Sequence, residues 1–163
     1  MLTDFQQKEL WEKWLAAEIR SNYFADLCGR FQRSHNLLTW IALVSSSGAA
    51  AGFLTHFPDW LKAGLILIVA AISFYSIVQQ SVKKVAECSD LSFRWNSLAI
   101  QYQELWNYAY SDEAESTFQT LLQKGADISR SGQTLPNDEK AMLKWEEHVL
   151  KHRIPNYGSP ATA

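Results

Sequence analysis

Residues 37–82 read LLTWIALVSSSGAAAGFLTHF, then PDW, then LKAGLILIVAAISFYSIVQQSV, and this stretch decides the fold. From Leu37 to Phe57 there is no Asp, Glu, Lys or Arg, and from Ala63 to Val82 there is none either. At a rise of ~1.5 Å per residue, each run makes a helix of roughly 30 Å, the thickness of a hydrocarbon core. The link between them leaves room only for an antiparallel hairpin. Two readings compete. One is a pair of transmembrane helices, and the other is a hairpin buried inside an all-helical domain. The weakly apolar Ser45-Ser46-Ser47-Gly48 favours the second. Against it, a core helix usually keeps a wet face, and Ala63 to Val78 shows almost none. The stretch is therefore read as two membrane spans.

The expected fold is all-α, with a two-transmembrane hairpin and a cytoplasmic helical bundle. The bundle is a long N-terminal helix packed on a stalk that continues from the second span. Residues 1–36 form the cytoplasmic lead-in, 37–82 the hairpin, 83–152 the cytoplasmic helices and 153–163 a loose tail. Orientation follows from positive charge, which stays on the cytoplasmic side. Arg30 and Arg33 precede the first span, Lys83 and Lys84 follow the second, and the turn offers only Lys62. Both termini are thus expected inside. The arginines, the lysines, Trp40 and Trp60 are read as membrane-interface anchors against lipid headgroups. MLTDFQQKEL lacks the basic-then-apolar order of a signal peptide, so the first span is expected to act as its own insertion signal.

The flanks are amphipathic. Residues 4–34 read as one helix capped by Asp4. Its stripe is Leu10, Trp11, Trp14, Leu15, Ile19, Phe24, Leu27, Cys28 and Phe31, with Lys8, Glu9, Glu12, Lys13, Glu18 and Arg20 opposite. The second span is expected to run on as a stalk to about Tyr110. Val85, Cys88, Ser92, Trp95, Ala99, Tyr102, Trp106 and Ala109 step along it by three and four, widened by Leu91, Leu98 and Leu105. The packing residues singled out are Trp95, Tyr102 and Trp106. Their partner is either residues 4–34 of the same chain or the same helix in other copies. Ser111 is expected to cap a further helix with Phe118, Leu121 and Leu122 on its apolar side, ended by Gly125 and the SRSGQT that follows. Asn137 or Asp138 caps a last helix carrying Met142, Leu143, Trp145 and Val149.

Within the hairpin, Ala42, Ser45, Gly48, Ala49 and Gly52 form a face of small residues containing a G-x-x-x-G. It seats either the second span or another copy of the chain. Ser73, Ser76 and Gln80 share one face of the second span. They are either polarity near an interface or a pore-facing stripe.

Catalytic signatures are missing. The sequence holds no H-E-x-x-H, C-x-x-C, G-x-G-x-x-G or G-x-x-x-x-G-K, and no hydrolase-like Ser, His and acid. His148 and His152 have the spacing of half a zinc site, but no third ligand announces itself. Two exposed histidines near a helix C-terminus account for them. No enzyme activity and no cofactor are expected. The formal charge of −2 over 163 residues gives no global attraction to nucleic acid, and no direct binding of it is expected. Cys28 and Cys88 flank the hairpin with nothing to mark them as a disulfide.

The lead-in ending in Arg30 to His35, the tight hairpin and the helix entered through VAECSDLSFRWNSLAIQYQELW resemble the SLATT domains. Those are two-transmembrane modules of bacterial conflict and anti-phage systems. The likeness covers roughly residues 20–125. Its pattern falls on Ala86, Leu91, Trp95, Leu98, Ala99, Tyr102, Leu105 and Trp106. The resemblance implies a bacterial inner-membrane effector in contact with membrane lipids. It would be a homo-oligomer that permeabilises the membrane when a sensor or regulatory partner signals infection. No sensor domain is expected within residues 1–163, so the partner's identity stays open. The rival expectation is a non-toxic membrane anchor or assembly factor that docks a cytosolic protein.

Overall fold

The computed structural model describes residues 1–46, 58, 60, 64, 67, 71, 81–132 and 135–153. Among them every regular element is helical, with no strand: α1 (Asp4–Ser46), α2 (Ser81–Asn107), α3 (Ala114–Ser131) and α4 (Glu139–Arg153). The all-α expectation is met. The chain divides into two compact units, Met1–Leu27 with Cys88–Ala163, and Cys28–Glu87.

The first unit is a bundle built around the N-terminal part of α1. Thr3 begins it, not Asp4. The Gln6 backbone N–H donates to Thr3 Oγ1 at 3.3 Å, and the Thr3 N–H donates to Gln6 Oε1 at 2.9 Å. That reciprocal pair is a capping box, and it leaves Asp4 as the first helical residue, where its charge meets the helix dipole. α2 runs antiparallel to α1. The Leu2 N–H donates to the Ala109 carbonyl at 2.9 Å, and nearly twenty residues along α1, Ser21 meets Ser92. α3 runs parallel to α1, because Gln6 meets Glu115 and Arg20 meets Ser129, both pairs 109 residues apart. α4 starts beside Tyr23 and ends beside Glu18. Three helices thus cover α1.

The core follows from that arrangement. Leu10, Leu98 and Phe118 are almost fully enclosed, from α1, α2 and α3 respectively. Around them lie Trp14, Leu15, Phe24 and Leu27, then Leu91, Trp95, Tyr102 and Leu105, then Leu121, Ala141 and Val149. Of the stripe read along the stalk, Cys88, Ala99 and Ala109 are also buried, whereas Val85, Ser92 and Trp106 are half-buried.

Local signals differ from the sequence reading in three places. α2 stops at Asn107. A turn in which the Ser111 N–H donates to the Tyr108 carbonyl follows, so Ser111 is a turn residue and α3 begins at Ala114. Glu113 holds the cap position without a side-chain bond. Gly125 does not end α3, which runs on to Ser131 with Gly132 as its C-cap. Asp138 is the cap of α4, since its Oδ1 accepts the Ala141 N–H at 3.1 Å.

In the second unit α1 runs unbroken past Gly29 and on through Arg30 to His35. The Cys28 thiol donates to the Val85 carbonyl at 3.7 Å, and Lys84 Nζ sits 5.9 Å from the Phe31 ring centre. The expected spans lie largely outside the described residues. Among the described residues, no helix is long and apolar enough to cross a membrane. Leu37, Trp40, Leu43, Trp60, Leu67 and Val82 are all exposed, between 57% and 74%.

The place of Gly125 gives a test. Mid-helix glycine costs about 1 kcal/mol relative to alanine. A methyl group at Gly125 would meet Leu98 Cδ2 at 3.4 Å and Tyr102 Oη at 3.5 Å, ordinary contact distances. Gly125→Ala is expected to stabilise the bundle by about 0.5–1 kcal/mol in chemical unfolding. A loss of stability would mean that α2 and α3 already touch too closely to admit a Cβ.

Candidate functional site

The α1–α2 seam places the polar groups that sequence alone does not explain. Ser21 Oγ donates to the Ser92 carbonyl at 3.2 Å, and Ser92 Oγ donates to the Ser21 carbonyl at 3.0 Å. Two short side chains allow this exchange, and together they satisfy the buried Ser21 and the half-buried Ser92. Toward the bundle end marked by Ala109, Trp11 packs edge-on to Trp14 at 5.1 Å and tilted to Trp106 at 5.6 Å. Those geometries suit the ring quadrupoles.

At Arg20, two residues beyond Glu18, the seam opens into a cleft of ≈270 Å³. The guanidinium carbon of Arg20 lies 4.7 Å from the centre of the Trp95 ring. Its Nη1 donates to Ser129 Oγ at 3.2 Å, and Ser129 gives its own proton to the Gly125 carbonyl at 2.9 Å. The serine is thereby fixed as the acceptor. Burial holds the Arg20 guanidinium below its ordinary value, with the nearby Tyr102 working the other way. An arginine nonetheless stays charged. Among the described residues, no carboxylate forms an ion pair with Arg20. Tyr23, Phe24, Trp95, Pro136 and Met142 line the rest of the cleft. Tyr23 also holds the loop before α4, donating to the Pro136 carbonyl at 2.8 Å and accepting the Asp138 N–H at 3.0 Å.

A second arginine behaves differently. Arg153 sits 5.2 Å from the Trp14 ring centre and makes three bonds of 3.1–3.3 Å to the Glu18 carboxylate. That cation is paired, and it fastens the end of α4 to α1. A shallow groove also lies between the end of α2 and the start of α3, where Lys124 Nζ donates to Gln101 Oε1 at 2.9 Å. It shows no comparable concentration of aromatic rings about a cation.

The residues singled out by sequence scatter. Trp95 and Tyr102 are buried in the bundle and Trp106 is half-buried. Arg30, Arg33, Trp40 and Trp60 are exposed. Lys83 is exposed and 3.9 Å from Glu87, and Lys84 is half-buried. Ala42 and Ser45 belong to α1. Gly48, Ala49, Gly52, Ser73, Ser76 and Gln80 lie outside the described residues. His148 and His152 have ring centres 4.3 Å apart, and His152 Nδ1 bonds the His148 carbonyl at 2.7 Å. Among the described residues, no group of three His, Cys, Asp or Glu side chains is placed to hold a metal. Sequence reading missed Tyr23 and Ser21, and it placed Arg20 on a solvated face. The series Leu10, Trp14, Ala17, Ser21, Phe24, Cys28 carries the missing signal, a 4-3-4-3-4 step that includes small residues. No family model, characterised protein or solved structure matches the chain.

Tyr102 gives a pH test. Its hydroxyl donates to the Leu121 carbonyl at 3.2 Å. Burial first, then the charge of Glu9, pushes its pKa up from 10.0 to about 12, with Arg20 opposing. The raised value means the native state holds the phenol proton more tightly than the unfolded chain. This stabilisation is complete below pH 10 and disappears as pH rises toward 12. Tyr102→Phe should be less stable than wild type by about 1 kcal/mol at pH 7, for the lost hydrogen bond. The gap should close between pH 10 and 12, because only the wild type has this phenol to ionise. Urea unfolding of both proteins across that range checks it, and a constant gap would refute the assignment.

Proposed function

We propose that the chain is a two-span protein of the bacterial inner membrane, both termini cytoplasmic. It would act as a homo-oligomeric effector that permeabilises the membrane when a partner triggers it. The observation that supports the membrane part most directly is the exposure of Leu37, Trp40, Leu43, Trp60, Leu67 and Val82. Large apolar side chains gathered on one segment and left uncovered are expensive in water and at home in lipid. The bundle fits the same reading. With α1 and α2 antiparallel, Leu27 and Cys88 leave it at the same end, as an out-and-back segment requires. The two charge-free runs fall in that segment.

The effector part rests on the resemblance to the SLATT domains and on the shared face of Ser73, Ser76 and Gln80. Hydroxyls and amides facing lipid cost free energy that a wet lumen removes. The anchor reading has its own support. Phe93 and Ile100 lie seven residues apart on α2, hence on one face, and both are exposed. They would suit a docked protein.

Two measurements separate the possibilities. A cysteine at Asp59 should react with an impermeant thiol reagent in intact cells while native Cys28 and Cys88 stay unlabelled. Failure of the Asp59 position to label would remove the proposed topology. A potential-sensitive dye should report depolarisation when the wild-type chain is overproduced. Ser73→Leu with Ser76→Leu should abolish that signal at equal membrane abundance. Equal depolarisation would take this stripe out of the mechanism, and none from the wild type would favour the anchor.

A further inference from the structure

We propose that the cleft at Arg20 is a binding site for a small organic anion, a carboxylate or phosphate monoester carried on a flat apolar body. The inference does not rest on the membrane reading, since every residue it uses belongs to the bundle.

The argument starts from the cation. Arg20 carries five N–H donors, and among the described residues it meets one hydrogen-bond acceptor, Ser129 Oγ. The Trp95 ring balances part of the charge but takes no hydrogen bond along the N–H edge. Arg153, the other arginine over a tryptophan in this bundle, is completed by the Glu18 carboxylate. Arg20 has the same aromatic seat without an acid among the described residues. An acceptor brought in by a ligand would fill the place that Glu18 fills for Arg153, and charge-assisted bonds of that kind are the stronger class.

The walls define the rest of the ligand. Tyr23, Phe24, Trp95 and Met142 offer apolar surface, so an inorganic anion would leave most of the cleft uncovered. The cleft's volume of ≈270 Å³ leaves room for a small aryl group beside the anionic head. The walls also come from four elements: Arg20 and Tyr23 on α1, Trp95 on α2, Ser129 on α3 and Met142 on α4. A fifth wall comes from Leu135, Pro136 and Asn137, and the Tyr23 latch on Pro136 and Asp138 holds it in place before any ligand arrives. A ligand here would therefore bridge all four helices, and its binding should slow amide exchange in α4 as well as raise the melting temperature.

The test uses the full chain in a neutral detergent, with phenylacetate and phenyl phosphate as probes. Phenylacetamide, the neutral isostere, and inorganic phosphate are the controls. Ligand-observed NMR and thermal shift should show saturable binding of an aryl anion, at least tenfold tighter than of either control. Whichever anion binds more tightly identifies the head group. Arg20→Gln keeps an amide for Ser129 and should weaken binding at least tenfold. Met142→Trp leaves Arg20 intact but fills the cleft, and it should abolish binding. If Arg20→Gln does not fold, Met142→Trp decides alone. Binding of phenylacetamide as tight as phenylacetate, undiminished binding by either folded variant, or no binding of both aryl anions at millimolar concentration would overturn the proposal.

Discussion

Because α2, α3 and α4 all pack against α1 in the bundle, the polar side chains that α1 turns toward them meet partners on those helices. A polar group carried into such a seam costs free energy unless it is hydrogen-bonded. Glu18, Arg20 and Ser21 lie within a single turn, and each meets a different helix: Arg153 on α4, Ser129 on α3 and Ser92 on α2. These three contacts fix the rotation of α1 about its own axis. Apolar packing alone would leave that rotation loosely set, since Leu10, Trp14 and Leu15 tolerate small shifts better than hydrogen bonds do. One short polar turn therefore ties α1 to all three of its neighbours.

The cations of that turn are held in an unusual way for a small helical domain. Exposed pairs such as Arg94 with Asp90 and Arg130 with Asp127 contribute little, because water screens them. Arg20 and Arg153 instead lie over Trp95 and Trp14, where the indole both shields and attracts them. Guanidinium suits such a seat because it is planar and weakly hydrated, and a lysine would not replace it. The tryptophans thus have two roles, one in the apolar core and one toward charge.

How much of this was legible in the sequence depends on the residue type. The stalk stripe from Cys88 to Ala109 was readable because large apolar residues repeat there without interruption, and burial follows it closely except at Trp106 and Ser92. Ala17 and Ser21 carry the same periodicity on α1, but small and polar residues hide it. Arg20 was placed among solvated charges because a one-dimensional pattern cannot register a ring on a distant helix. Gly125 reads as a breaker, yet α3 runs through it to Ser131, with Leu98 and Tyr102 of α2 close against that turn. The start of α1 at residue 4 agrees, but its cap is Thr3 and not Asp4: both are good caps, and only Gln6 distinguishes them. The small face beyond Ser45 and the polar stripe of Ser73, Ser76 and Gln80 are legible as patterns only, since they lie outside the described residues.

The seam between α1 and α2 has a consequence for the order of events during synthesis. Ser21 and Ser92 are 71 residues apart in the chain. At roughly 5–20 residues per second, a ribosome needs on the order of several seconds to cover that interval. Helix formation takes about a microsecond. α1 has therefore long been able to coil before its partner exists, with Trp14, Ala17 and Ser21 uncovered. The bundle closes at the tempo of translation rather than of folding, and residues 28–87 leave the ribosome before Cys88–Ala163, the second half of the bundle, is made.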